Sequence, residues 1–304
     1  MPPTLDRLSA GTLDWLGRNL DYFDPYSENA RSSAHGKVKA ALELALLCHC
    51  WTRLDPGDDR LNEPAALIRR LWPRPDFQRL IASQPDFAPQ YGLIYAALAP
   101  PGIDDRLCRA TLARLAAEGF LSPLGKSPYQ RLETRYYADK AGVDHGIEPY
   151  EELFEQSPLV KPPVAAPAPS GAPLATQDAY AVTHSSFFLS DFGRRSPGPA
   201  HALARAEKVT GRMLDHCVRR DRWDLTAELV MTWFCLGHDP LGTPSGVAAI
   251  ECLTRAQRPD GAIPARSAEL RAAGPLPAGE SFRKAYHTTL VTALMSLMVT
   301  SVRP

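Results

Sequence analysis

The sequence predicts an all-α protein, an α/α toroid or an incomplete α/α barrel of paired helices. Three features point there. Apolar residues recur every three to four positions along most of the chain, and strand-like alternation is nearly absent. Alanine and leucine favour helix, while 29 prolines cut the chain into helices of modest length. Segments apolar on most sides are followed by segments with a single apolar stripe, as when an inner helix is covered by an outer one. If such pairs close on themselves, helix ends surround a cavity; an open helical array is the alternative.

The elements follow in order. Residues 5–23 place Leu5, Leu8, Leu13, Leu16 and Leu20 on roughly one face. Residues 35–54, "HGKVKAALELALLCHCWTRL", are apolar on most sides. "NEPAALIRRLWPR" opens with Asn62 as a cap and Pro64 in the first turn. "PQYGLIYAALA" ends at Pro100 and Pro101, and residues 104–120 stop at Gly119. Two short helices follow at 127–142 and 148–157. The stretch 157–175, "SPLVKPPVAAPAPSGAPLA", breaks the pattern and reads as a surface linker or belt. It divides an N-terminal helical half, 1–156, from a C-terminal half, 176–304, that carries the candidate site. The two halves can still form one continuous toroid. The second half reads as helices at 176–193, 199–220, 222–237, 244–257 and 280–299, giving eleven or twelve in all.

Thirty-four basic residues balance thirty-four acidic ones, so there is no general attraction to nucleic acid or anionic membrane. No apolar run is long enough to span a bilayer, and the first residues do not read as a signal peptide. Six scattered cysteines suit buried, reduced thiols, so a cytoplasmic protein is expected. "GTPSG" lacks the lysine of a phosphate-binding loop, no Gly-x-Ser-x-Gly elbow occurs, and no acidic cluster lies within an apolar helix. The acids of "PGDDRLNE", the "RRDRWD" turn and Arg106, Arg109 and Arg114 read as solvated.

The polar residues inside apolar helices are the candidates for chemistry. In "YAVTHSSFFLSDFG", His184 and Asp191 share a helix face two turns, about 10 Å, apart. That is too far to hold one ion from a straight helix, so Asp191 is expected as an orienter or a base for a group on another helix. In "WDLTAELVMTWFCLGHDP", Glu228 and Cys235 share a face, and Cys235 and His238 have a Cys-x-x-His spacing that suits zinc. His184 and His287, from different helices, are the expected further ligands, for a zinc or iron ion. Glu228, Asp191 and Tyr286 complete the catalytic candidates, with Tyr180 behind them. Each has a plainer reading. A histidine on an apolar helix is often a hydrogen-bonded core residue, Asp191 can cap the turn before Gly193, and tyrosines at helix ends often only pack.

Two C-terminal stretches carry a resemblance. "ECLTRAQRPDGAIP" resembles the glutamine-aspartate-glycine turn of terpene cyclases and protein prenyltransferase β-subunits, with Gln257, Asp260 and Gly261 in place and the motif's aromatic partner absent. In those families the glutamine ties successive toroid helices. "AYHTTLVTAL" resembles the last inner helix of the prenyltransferase β-subunit, where the histidine matching His287 is a zinc ligand. The aspartate-glycine-cysteine ligand segment has no counterpart, so prenyl transfer is not implied. Thr183, His184, Phe187, Asp191, Phe192, Gly193, and Tyr286 to Leu290 together resemble the DUF6895-like group of actinobacterial helical proteins. That resemblance implies a place beside bacterial specialised-metabolite pathways, such as antibiotic biosynthesis. Two functions are therefore carried forward. One is a metal-dependent enzyme acting on a small or peptidyl substrate in an apolar cavity. The other is a non-catalytic helical partner of a pathway enzyme or carrier protein, or a ligand-binding protein, its histidines and aspartate forming a structural network.

Overall fold

The computed structural model describes residues 3–29, 33–161, 176–264 and 276–301. Among them the regular structure is helical: α1 (Pro3–Arg18), α2 (Leu20–Phe23), α3 (Ala34–Leu54), α4 (Asn62–Leu71), α5 (Pro75–Ala82), α6 (Ala88–Ala97), α7 (Arg106–Ala117), α8 (Pro128–Ala141), α9 (Tyr150–Gln156), α10 (Thr176–Ser190), α11 (Ala200–Arg219), α12 (Trp223–Cys235), α13 (Pro244–Ala256) and α14 (Ala278–Ser301).

Local chemistry sets the boundaries. Ser33 caps α3 by accepting from the Gly36 amide, and Thr243 does the same for Gly246 at the start of α13. A full capping box, Ser127 with Gln130, opens α8 behind Pro128, and left-handed Gly142 closes it. Three expectations change. Asn62 lies inside α4 instead of capping it, because Asp58 caps a preceding 3-10 turn that runs straight into the helix. The helix α5 is additional to the expected elements, and Pro75 occupies a first-turn position where its missing N–H costs nothing. Residues 162–175 of the expected linker lie outside the described residues. At its start, Ser157 and Leu159 are buried rather than on the surface.

Two helix populations differ in how they are covered. Helices α3, α10, α12 and α14 bury side chains around most of their circumference. In contrast, α4, α5 and α11 bury one stripe. Helix α3 packs on α6, α6 on α8, α8 on α10, α10 on α12, α12 on α14, and α14 on α3. The remaining longer helices cover this series: α1 lies on α14 and α13, α4 and α5 on α3, α7 on α6, α9 on α8, and α11 and α13 on α12. One apolar core runs through both halves of the chain, and all six cysteines are buried within it. Among the described residues no helix is long and apolar enough to cross a membrane.

Candidate functional site

Six helices, α3, α6, α8, α10, α12 and α14, turn side chains toward one two-chambered cavity. The polar chamber, about 730 Å³, reaches the first residues of α8 and α10 and includes Lys39, Gln177 and Asp178. The apolar chamber, about 450 Å³, is walled by Tyr91, Tyr137, Phe187, Phe188, Met231, Leu290 and Leu294, among others. Lys39, Glu43, Tyr129, His184, Glu228 and His287 line both, so these residues sit where the chambers meet.

They form two groups joined by hydrogen bonds and ion pairs. In the first, the Tyr129 hydroxyl meets His184 Nδ1 at 3.0 Å, and His184 Nε2 lies 3.7 Å from a Glu228 carboxylate oxygen. Thr183 donates to the same oxygen at 2.7 Å. In the second, His287 Nδ1 lies 3.1 Å from Glu43, which also faces Lys39 at 3.4 Å. Burial opposes charge on Glu43, Glu228, His184 and His287, and in each of the two pairs the partner outweighs it. Glu43 is held down to about 2 by His287 and Lys39 against its own burial. Glu228 is lowered by His184 against burial. Burial pulls both imidazoles down, but Glu228 raises His184 and Glu43 raises His287. The two histidines thus tend to be imidazolium facing carboxylate. Glu133 differs: burial raises it, and only His184 and a hydrogen bond from Gln90 (2.9 Å) act against that. Tyr129, raised by burial, stays a phenol.

The sequence candidates divide. His184, Glu228 and His287 are brought to the cavity. Tyr180 lines its polar chamber and donates to Asp224. Asp191 is engaged elsewhere, at the end of α10, by Arg53, Lys140 and the Tyr136 hydroxyl (2.9 Å). Against its own burial, these neighbours hold its carboxyl at about 2, below the usual carboxylate range. Tyr286 is buried in an aromatic stack with Phe282, rings 5.1 Å apart. Cys235 is buried, its thiol pushed up to about 12 by burial, with Ser190 and Ser186 as hydrogen-bond partners. His238 pairs with Glu207 at 3.0 Å. The four expected metal ligands are therefore not assembled, and among the described residues no group of three or more His, Cys, Asp or Glu is placed to hold a metal ion.

Sequence reasoning missed Glu43, Tyr129 and Glu133. Glu43 had a usable signal, a lone acid inside the all-round apolar "AALELALLC". Tyr129 and Glu133 had none, since α8 is rich in charge and reads as a surface helix.

No curated protein and no solved structure matches this chain. One family model does, and it spans residues 9–297, covering every cavity residue named above. The chain belongs to the family described as a domain of unknown function, DUF6895.

Proposed function

We propose that this protein is an enzyme that moves protons on a small organic molecule held in the cavity, within a closed α/α toroid. The observation that carries the reading is the pairing of each cavity histidine with its own carboxylate, buried Glu228 and half-buried Glu43: Tyr129–His184–Glu228 on one side, His287–Glu43 on the other. A carboxylate behind an imidazole fixes its orientation and stabilises its protonated form, as a general acid–base pair requires. His287 Nδ1 is committed to Glu43, which leaves Nε2 to take up or release a proton. Tyr129 and His184 supply the complementary proton, so the protein ends each cycle with its charge unchanged. The apolar walls exclude water and strengthen these electrostatic effects.

Closure of the toroid is supported by the unbroken neighbour series α3, α6, α8, α10, α12, α14 and back to α3. It is also supported by Gln257, whose amide donates to the Leu8 carbonyl at 3.1 Å and so ties the end of α13 to α1. A place in specialised metabolism is the family-level expectation that accompanies this reading.

The test is turnover of a diverse small-molecule library in D2O, followed by mass spectrometry. We expect solvent deuterium or a changed product with wild type, reduced at least 100-fold in His287→Asn and in Glu228→Gln. Compounds that bind yet are never exchanged or changed would replace the enzyme with a ligand-binding protein. Elemental analysis of untagged protein covers the metal reading: a stoichiometric zinc or iron, lost in His287→Ala, would displace the metal-free mechanism.

A further inference from the structure

Among the described residues, three carboxyl groups line the apolar chamber, and the protein provides cationic partners for only two of them. Glu43 has His287 and Lys39, and Glu228 has His184. Glu133 has the neutral Gln90 amide on one oxygen. The positive group that acts on it is His184, and His184 is already paired with Glu228. Glu133 is half-buried, and a carboxyl in an apolar chamber without a counter-charge of its own is disfavoured in its ionised form, so this position shifts toward the acid.

The rings of Tyr91, Tyr129, Tyr137, Phe187 and Phe188 line the same chamber. Aromatic faces attract cations, and more strongly where water is excluded. A carboxyl lacking its cation, set among aromatic rings in an apolar space, is complementary to an organic ammonium with an apolar body. The chamber's 450 Å³ suits a body the size of a phenyl ring with a short chain.

We propose that the apolar chamber binds a hydrophobic primary ammonium group and that Glu133 is its counter-ion. The inference rests on the enzyme reading, whose substrate class it names. An ammonium entering beside Glu133 in its acid form gives an ammonium–carboxylate pair with that proton released to solvent, and beside the ionised form it gives the same pair with no proton released, so atoms and charge balance in both. The histidine–carboxylate groups keep their partners throughout, available for proton transfer on the bound molecule. The ammonium can belong to a free amine or to the N-terminus of a short peptide presented through the polar chamber.

Isothermal titration calorimetry on the full chain tests this with four probes: 2-phenylethylamine, its neutral analogue 3-phenylpropan-1-ol, its anionic analogue 3-phenylpropanoate, and the peptide amide Phe-Ala-Ala-NH2. At least one ammonium probe should bind tenfold or more tighter than the alcohol and the carboxylate, and which one does identifies the source. In buffers of different ionisation enthalpy near neutral pH, that binding should release a fraction of a proton or more. Glu133→Gln should erase the preference and the proton release while leaving the alcohol's affinity within about twofold, the amide being isosteric. The proposal is overturned if the alcohol or the carboxylate binds wild type as well as the ammonium probes do. It is equally overturned if Glu133→Gln retains the preference, or if no ammonium probe binds at millimolar concentration. Ammonium binding with no turnover of any amine would leave this inference standing and remove the catalytic reading. Turnover of a non-amine that is indifferent to Glu133→Gln would do the reverse.

Discussion

Asp191, Phe192 and Gly193 follow α10 with three consecutive residues in the left-handed region, at φ 50°, 55° and 82°. That region costs an L residue roughly 1–2 kcal/mol, so two such residues in a row need compensation. Gly193 is required because a Cβ there would lie 2.3 Å from the Phe234 ring. The turn sends the two neighbouring side chains apart. Phe192 stacks on Phe187, rings 5.4 Å apart, and completes the cavity wall. Asp191 goes to Arg53 and Lys140, which are 17% and 18% exposed and would otherwise face each other unscreened. Asp191→Asn isolates this contribution, since asparagine tolerates the same backbone and only the charge is lost. Breaking a fully buried pair costs about 3–5 kcal/mol. With these groups partly solvated we expect about 2 kcal/mol, read as a lower urea midpoint at unchanged slope. A loss below about 0.5 kcal/mol would mean solvent already screens the cluster. The sequence placed Asp191 and His184 on one helix face, and that spacing holds only while the helix continues. The left-handed turn begins at Asp191 itself, which spacing alone does not reveal.

The glutamine-aspartate-glycine turn after α13 acts between elements far apart in the chain. Gln257 reaches the Leu8 carbonyl, Arg18 donates to the Asp260 carbonyl at 2.7 Å, and Gly261 has φ 92°. A Cβ on Gly261 would stand 2.1 Å from the Gly11 carbonyl oxygen, so backbone, not a movable side chain, blocks it. Gly119 is the natural control, with φ 74° and open space within 4 Å of where its Cβ would stand. Gly119→Ala should therefore cost only the backbone term, about 1–2 kcal/mol. Gly261→Ala adds the clash and should cost at least twice as much by urea denaturation. Equal losses would show that the turn shifts freely away from α1. Elements of this kind were partly legible. Helical periodicity located the long helices, because each has a face to bury. It passed over α5, whose eight residues sit between prolines that look like a loop. It also could not say that α13 meets α1, because that pairing follows from the path of the whole chain.

At the scale of the molecule, a formal net charge of zero conceals a concentration of ionisable groups in one cavity. Opposite charges cancel in composition whether they lie on the surface or face each other inside. For the same reason the sequence supplied His184, Glu228 and His287 but not Glu43 and Tyr129, nor which of these residues are partners. Those partners make stability depend on pH in a definite direction. Glu43 and Glu228 are lowered from an ordinary 4.5, so their contribution is present above 4.5 and is lost as pH falls through their folded values, about 2 for Glu43. His184 and His287 are raised from 6.5, so theirs is present below 6.5 and is lost as pH rises through the raised values. Glu133, raised by burial against His184 and Gln90, retains a proton that the unfolded chain has lost, and this lowers stability as pH climbs past 4.5. His49, pushed down to about 4 by burial and by Lys140 and Arg53, acts oppositely below 6.5, where stability rises with pH. Above 6.5 that opposing effect is exhausted, and the cavity histidines, together with whatever proton Glu133 still holds, lower stability as pH rises. Stability is therefore expected to peak near pH 6 and to decline toward pH 9, measured as urea midpoints across that range. His287→Gln removes one of the two raised imidazoles and should make the decline just above pH 6.5 shallower, even though the variant is less stable overall. A wild-type profile that is level from pH 6.5 to 9 would mean that the histidines are not held protonated by their carboxylates, and the paired acid–base site would lose its physical basis.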